Sequence, residues 1–505
     1  MIFASPVFLA LFLPLALAGY FVTPRPARNA VLLVASLAFY AWGEAAFVPL
    51  IATSAILNWS IALAIEAAPN AGVRKRWLVL AVTVNVAILA IFKYANFANV
   101  TLASLLRTAG IDTPALATIA LPLGISFFTF HAISYVVDVY RGNAAAARKL
   151  SDFALYLLAF PQLIAGPIIR WRDIAEQVRA REERLADFAW GTRRFILGLG
   201  KKLLIANTLG EAADRIFGLP AEQLGTPLAW LGLLCYSLQI YFDFSGYSDM
   251  AIGLMRMFGF RILENFDYPY ISRSIREFWR RWHISLSNWF RDYVYIPLGG
   301  NHVSPVRAYR NLVIVFLLCG LWHGASWPFV LWGAWHGAFL VLERAGLSAV
   351  LDRHRVLSHV YALVVVAGAW VLFRCDTLAH AAVYYAALGG AGATTSTTPF
   401  ASIVDPLLVF TLVVAVIGAT PVARLWASGS ESNRPVAHGF NRIRSRRFDA
   451  APGASATGVA ATRVPATSTP ARLVCADVAW LALVFALCSL QLAGSTYNPF
   501  IYFRF

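Results

Sequence analysis

The sequence predicts an all-α polytopic membrane protein, with about 11–12 transmembrane helices plus re-entrant and interfacial helices. Three observations predict it. The 505 residues are 59% hydrophobic and 13% charged, against roughly 45–50% and 25% in soluble domains. Mean hydropathy is +0.63. Long apolar runs recur along the chain, and Lys and Arg gather in the breaks between them, as the positive-inside rule expects. That distribution also disposes of the formal charge of +16 as a nucleic-acid signal, because the cations mark loops between spans. The partners it implies are membrane lipid and no nucleic acid.

Each run follows in order. Residues 1–20 are apolar with no basic residue before them, and the first cations are Arg25 and Arg28. This reads as a first span with its N-terminus outside, not as a signal peptide. Runs at 29–43 and 46–66 flank a non-basic turn, and Arg74, Lys75 and Arg76 mark the next cytoplasmic loop. Residues 77–93 return outward, and 117–139 come back in. The run at 153–169 contains Pro161, Gly166 and Pro167 between basic flanks, so it is expected to be re-entrant and either buried in protein or lining a cavity, with 160–170 read as cavity lining. Residues 170–202 carry nine Lys or Arg and read as cytoplasmic. Residues 203–218 go out, 229–257 come back, 273–310 are again basic, and 356–373 and 406–425 form a further pair. A last span at 474–492 leaves both termini outside.

These runs divide the chain into a transmembrane core (1–427), a disordered basic cytoplasmic linker (428–472) and a final transmembrane helix with an aromatic end (473–505). The five cysteines are scattered and read as reduced packing residues. They offer no metal-like pairing, and no metal is expected.

Residues 264–337 hold the two histidines that need a reason. The first, His283, sits in EFWRRWHISLSNWFRDY. Read as one helix, 273–290 puts Phe278, Trp282, Leu286 and Trp289 on one face and Arg276, Arg280, His283 and Ser287 on another. That is an interfacial helix. Its histidine either faces the headgroups or faces a cavity, with Arg276, Arg280 and Arg281 drawing in an anionic donor.

The second histidine, His323, lies in GLWHGASWPFVLWGAWHG. Arg310 marks a cytoplasmic edge, and 13 residues of helix span about 20 Å. His323 is thereby placed near or past the midplane of a core about 30 Å thick. An ionisable group there is expensive, and it is either held between helices or functional. Pro328 is expected to break the helix. Gly320 with Gly324, and Gly333 with Gly337, allow helices to approach closely. His336 repeats the Trp-His-Gly triplet and, in a continuous helix, faces about 220° away; a structural role suits it. His131 lies in an apolar span without chemistry around it. Asp243 and Asp249 sit inside QIYFDFSGYSD, where carboxylates either pair with arginines or bend the helix through Ser245-Gly246, and Asp243 is also a candidate for the tunnel lining or the oxyanion site.

At these residues the chain resembles the membrane-bound O-acyltransferase family, in its bacterial alginate O-acetylation branch. The stretches that carry the resemblance are ISYVVDVYRG at 133–142, FPQLIAGPIIR at 160–170, YFDFSGYSDMAIG at 241–253, residues 264–300 and 320–337, and the closing FIYFRF. It covers roughly residues 1–375 and the C-terminal end; His131 departs from it, standing where an uncharged, glutamine-like residue is expected. The resemblance implies many helices around a membrane-crossing tunnel, with His323 as the catalytic histidine and His283 as its second. It implies acetyl-CoA as cytoplasmic donor substrate, with no tightly bound cofactor. It also implies a periplasmic SGNH-like acetyltransferase partner and a bacterial inner-membrane location.

The residues fit that scheme. His323 would act as general base on an acceptor hydroxyl. Trp322 or Trp327 would donate to the oxyanion, and spacing does not choose between them. Tyr502, in the outward-facing tail, is a candidate acyl relay or an aromatic anchor. A D-alanyl or lipid acyltransferase of the same fold, and a transporter without chemistry, are the competing readings.

Overall fold

The computed structural model describes residues 1–112, 117–393, 400–422, 471–495 and 497–499. Among these, helices account for the regular structure and there is no strand, as expected. Among the described residues, five helical stretches are long and apolar enough to cross a membrane: Arg25–Ala67, which includes a turn after Glu44, Ala71–Thr108, Pro305–His323, Arg355–Arg374 and Cys475–Gly494. Three shorter apolar helices accompany them. The chain is an all-α polytopic membrane protein.

The first part follows the apolar pattern, with two shifts. Helices α1 (Leu13–Val22), α2 (Arg28–Glu44) and α3 (Val48–Ala67) are separated where the sequence turns, at Arg25 and again at Glu44. Helix α4 (Ala71–Thr108) starts where the Asn70 side chain accepts the Val73 N–H at 3.0 Å. It was expected to end at Lys93 but runs on to Thr108, 38 residues in all. After Gly72 in its first turn no Gly or Pro occurs until Gly110, whose left-handed backbone closes it. Lys93 is therefore inside the helix. Helix α5 (Ile125–Tyr140) begins later than the expected 117, because Pro122 and the left-handed Gly124 keep the preceding backbone out of helix. A Cβ on Gly124 would come within 2.8 Å of Leu163 O, so this turn is pressed against the next segment.

That next segment breaks as expected. Helix α6 (Leu150–Leu158) stops at Ala159, and α7 (Phe160–Leu163) is a single turn before an irregular stretch. Residues 155–169 are all buried, so the broken backbone is covered by protein. Helix α8 (Trp171–Arg179) follows. Within the basic stretch 170–202, α9 (Leu185–Gly200) forms and runs through a π-helical turn into α10 (Asn207–Phe217). Cations here are neutralised by α11 (Thr226–Met257) and the irregular stretch after it: Arg194 and Lys201 on Asp249, both within 2.7 Å, and Arg194 on Glu264 at 2.6 Å. Glycines bring α9 and α11 together, since a Cβ on Gly191 would meet Gly253 O at 2.5 Å and one on Gly198 would meet Gly246 O at 2.6 Å.

The single helix expected over 273–290 is two. Helix α12 (Ile275–Arg281) is capped by Ser274, whose hydroxyl accepts the Glu277 N–H at 3.0 Å. Helix α13 (Ile284–Phe290) follows a left-handed residue, His283, with φ 43° and ψ 55°. Next, α14 (Pro305–His323) and α15 (Trp327–Leu342) form a tight antiparallel hairpin. Pro328 does not break a helix. It sits in the first turn of α15, where its missing N–H costs nothing. Gly320 and Gly333 face each other across the hairpin, where a Cβ on Gly320 would come within 3.2 Å of the Gly333 backbone. Beyond lie α16 (Ser348–Leu351), α17 (Arg355–Arg374), α18 (Leu378–Ala386), α19 (Pro406–Gly418) and α20 (Ala471–Gly494). The linker expected at 428–472 lies outside the described residues except for its last two, which begin α20.

A Cβ on Gly333 would run into Phe316 O of α14. Gly333→Val should therefore force the hairpin apart and cost about 1–3 kcal/mol or more. A lowered thermal midpoint in detergent would show this, and a midpoint equal to the parent's would refute the close packing.

Candidate active site

The hairpin turn decides where His323 stands. Helix α14 ends on it, the chain leaves through an extended Gly324, and α15 folds straight back. Trp322, Trp332 and Phe373 of α17 close around the imidazole edge to face, with ring centroids 4.9, 4.9 and 5.1 Å away. His323 is buried, and Nδ1 has no hydrogen-bond partner. A cavity of about 160 Å³ reaches it, bordered by Lys93, the 121–127 turn, Ile164 and Trp322.

His283 comes to the same place from the other side, because of the helix break. Had α12 continued, the histidine would lie on the arginine face. The left-handed turn, which costs a non-glycine residue about 1–2 kcal/mol, points it inward instead, where it is fully buried. Phe244 stands edge-on to it at 4.6 Å and Trp322 lies 6.1 Å away. The Trp322 ring thus lies next to both histidines. The reading of His283 as part of a basic headgroup face is corrected by this geometry.

Asn265 holds the turn. Its backbone carbonyl accepts the Ile284 N–H at 3.0 Å. Its side-chain Oδ1 accepts from Ser285 N (3.2 Å), Ser285 Oγ (2.9 Å) and His283 Nδ1 (3.2 Å). An acceptor facing Nδ1 makes Nδ1 the protonated nitrogen, so Nε2 carries the lone pair. Nε2 is buried without a partner. Ser285 Oγ in turn accepts the Ile168 N–H at 3.0 Å, tying the broken segment to the site.

Buried polar atoms are normally hydrogen-bonded. Here Trp322 Nε1, Trp332 Nε1, His323 Nδ1, His283 Nε2 and His336 Nε2 are buried without a partner. Donors and acceptors concentrated among aromatic rings can orient a small polar group that enters between them. His336 joins the cluster because the hairpin returns it: Trp332 lies 4.9 Å from both His323 and His336. Its Nδ1 accepts from Trp279 Nε1 at 3.3 Å, a packing role as expected.

The other expected site residues divide. Trp322 is in the cluster. Trp327 is 51% exposed, packed on Phe97 at 5.7 Å. Arg276 and Arg280 are exposed on the outer side of α12, and Arg281 is engaged with Glu277 at 2.9 Å and Asp267 at 3.2 Å. The break at His283 separates all three from the inward-facing imidazole. Asp243 is not an oxyanion donor: its carboxylate pairs with Lys202 at 2.6 Å, both buried. Tyr502 lies outside the described residues. The tail leading to it is bound, since Lys202 Nζ donates to Pro499 O and Tyr497 OH donates to Asp214 at 2.7 Å.

Sequence reasoning missed Asn265 and Lys93. Lys93 had a visible signal as the only charged residue between Arg76 and Arg107. Asn265 had none, because its work is done through one irregular turn.

On the basic side, an ionic cluster fastens the segments that carry the site. Asp292 accepts from Arg170 at 2.7 Å and Arg172 at 2.5 Å, and Arg172 reaches Asp138 at 3.4 Å. Burial pushes the Asp292 carboxyl up, but Arg291, Arg170 and Arg172 outweigh it and hold the group below the ordinary carboxylate range.

Comparison with known proteins agrees with the motif reading. The model of the membrane-bound O-acyltransferase family matches residues 77–370. The chain is 44% identical to "Probable alginate O-acetylase AlgI" of Azotobacter vinelandii, over 100% of both chains. It is 42% identical to the protein of the same name from Pseudomonas putida, again over 100% of both. It is 38% identical to "Peptidoglycan O-acetyltransferase" of Helicobacter pylori, over 75% of this chain and 78% of that one.

A carboxyl held low in the folded state stabilises it above the unfolded value of about 3.9, and the contribution disappears as pH falls through the folded value. Asp292→Asn should therefore cost about 3–5 kcal/mol near neutral pH. The gap to the parent should close progressively below about pH 4. Thermal melts across pH check this; a gap that widens in acid would contradict the assignment.

Proposed function

The chain belongs to the membrane-bound O-acyltransferase family, and from that premise we propose that it takes acetyl from cytoplasmic acetyl-CoA and passes it across the membrane for O-acetylation of an exported polysaccharide of the alginate type. It is an O-acyltransferase; relatives named for alginate and for peptidoglycan O-acetylation support acetyl as the group and an exported polysaccharide as its destination. The observation that carries the reading is the buried pair His323 and His283 beside Trp322, with unpartnered nitrogens on all three.

His323 is the general base. As the acceptor oxygen attacks the thioester carbonyl, a C–O bond forms and the imidazole takes the hydroxyl proton. The negative charge that develops on the carbonyl oxygen needs a donor already in place, and Trp322 Nε1–H, unpartnered beside both histidines, can supply it. Collapse breaks the C–S bond, and the proton leaves with the thiolate as free CoA thiol. His283, with Nδ1 committed to Asn265, offers Nε2 as acceptor on the donor side. Aromatic walls keep water out, which protects the thioester from hydrolysis. Arg276 and Arg280 suit the donor's phosphates at the basic surface, where they remain exposed.

Tyr502 is the proposed acyl relay. Pro499 is bound at Lys202, next to Asp243, and Phe244 packs on His283. Three further residues extend the chain by at most about 10 Å. A bacterial inner-membrane location, periplasmic termini and a periplasmic SGNH-like acetyltransferase that completes transfer to the sugar belong to the same proposal.

His323→Ala should lower polysaccharide acetyl content by about 10²–10⁴-fold with the protein still inserted and abundant. Unchanged acetylation in that variant would overturn the enzyme mechanism. Tyr502 is tested separately: the C-terminal peptide of the active protein should carry one added acetyl by mass spectrometry after exposure to acetyl-CoA. Full activity in Tyr502→Phe would eliminate the relay while leaving the histidine chemistry standing.

A further inference from the structure

The carbonyls at the end of a helix have no partner within it. Those at the end of α14 belong to the residues of the site. Only Gly324 N–H returns, to Gly320 O at 3.1 Å, before the chain turns away. Leu321, Trp322 and His323 then need donors from elsewhere, in a buried place. Helix α4 supplies them. Tyr94 OH donates to Leu321 O at 2.9 Å. Lys93 Nζ donates to Trp322 O and, at 3.4 Å, to His323 O. Its third contact is Ser126 Oγ at 3.4 Å, on α5.

We propose that Lys93 is a positioning residue for acyl transfer: it clamps the last turn of α14 and thereby fixes Trp322 and His323 relative to each other and to the cavity they share. This rests on the assignment of His323 as the reacting base.

Several facts converge on the clamp. Lys93 continues the buried stripe Ala81, Asn85, Leu89 at four-residue spacing, so its side chain is directed into the bundle by the helix itself. A charge inside an apolar helix is expensive and calls for a function. The C-terminal end of a helix carries partial negative charge, which favours a cation there. The ammonium also stands 5.9 Å over the Trp322 ring. Lys93, Ser126, Trp322 and His323 border one cavity. The clamp thus reaches both residues proposed to act on the thioester, and it does so through their backbones, leaving Trp322 Nε1 and His323 Nδ1 unengaged.

Displacement of a reacting group by about 1 Å can cost 10²-fold in rate. The test uses the full chain in membranes of its host, with acetyl-CoA as probe and release of CoA thiol as readout. Lys93→Met should lower kcat by about tenfold or more and change KM for acetyl-CoA by less than about threefold. Lys93→Arg, which keeps the cation and several donors, should recover part of the loss. Tyr94→Phe, which removes only the clamp on Leu321, should lower kcat by about two- to fivefold. A Lys93→Met protein with kcat within about twofold of the parent, or one whose loss lies wholly in KM, overturns the inference. If Lys93→Met does not insert, Tyr94→Phe decides: unchanged kcat in an inserted, equally heat-stable protein overturns it. His323→Ala run in parallel separates the two levels. Activity retained there defeats the chemistry, whereas activity lost there but kept in Lys93→Met and Tyr94→Phe defeats only the clamp.

Discussion

The amide of Asn265 is the interaction on which the site depends. It is fully buried and joins pieces that share no helix. Its carbonyls hold Ile284, Ser285 and His283, and its Nδ2 donates to Ser248 Oγ of α11 at 3.1 Å. Through Ser285 the connection extends to Ile168 in the broken segment. A left-handed histidine persists only where its surroundings over-determine it. Without this amide the low-energy course for the chain is to continue α12 into α13, which would carry His283 round to the exposed side. The second histidine of the site is thus a product of one polar side chain acting in a place without water.

Around that centre the protein solves the same problem repeatedly. Charges inside the bundle are matched in small groups: Lys202 with Asp243, Arg194 and Lys201 with Asp249. Helix ends are met from outside, as when Glu343 at the end of α15 accepts the Arg276 N–H at 3.1 Å at the start of α12. Glycine contacts let backbones approach where side chains would hold them apart. Around His323, by contrast, unpartnered nitrogens of Trp322, Trp332, His283, His323 and His336 gather in one place, and it is their concentration that marks the site.

Much of this was legible in the sequence. Composition and the placement of Arg and Lys are global properties, so the all-α membrane class followed directly. The apolar helix leading from Arg310 to His323 followed from its composition, because no glycine or proline interrupts it before Gly320, and His323 is buried at its end. The position of His283 did not follow. Periodicity assumes that one helix continues, and no residue between Trp282 and Ile284 is a glycine or a proline to warn of a turn. His336 was misdirected for the same reason: the 220° offset assumed one continuous helix, whereas the hairpin returns His336 to the Trp332 ring that also meets His323. Asp243 could be recognised as a buried carboxylate but not assigned to Lys202, since tertiary pairing is invisible to spacing. The choice between Trp322 and Trp327 likewise needed the hairpin, which buries one and leaves the other at the surface.

Lys93 has a consequence for how the protein is made. Its carbonyl partners lie 229 and 230 residues further along the chain. When α4 leaves the ribosome, α14 does not exist, and an apolar helix carrying an unmet ammonium is a poor solute for lipid. Until the hairpin of α14 and α15 is made, the ammonium has none of these carbonyls to receive it, and α4 carries the cost of an unmet charge. The contact that meets this early charge is the same contact that holds the end of the helix bearing His323.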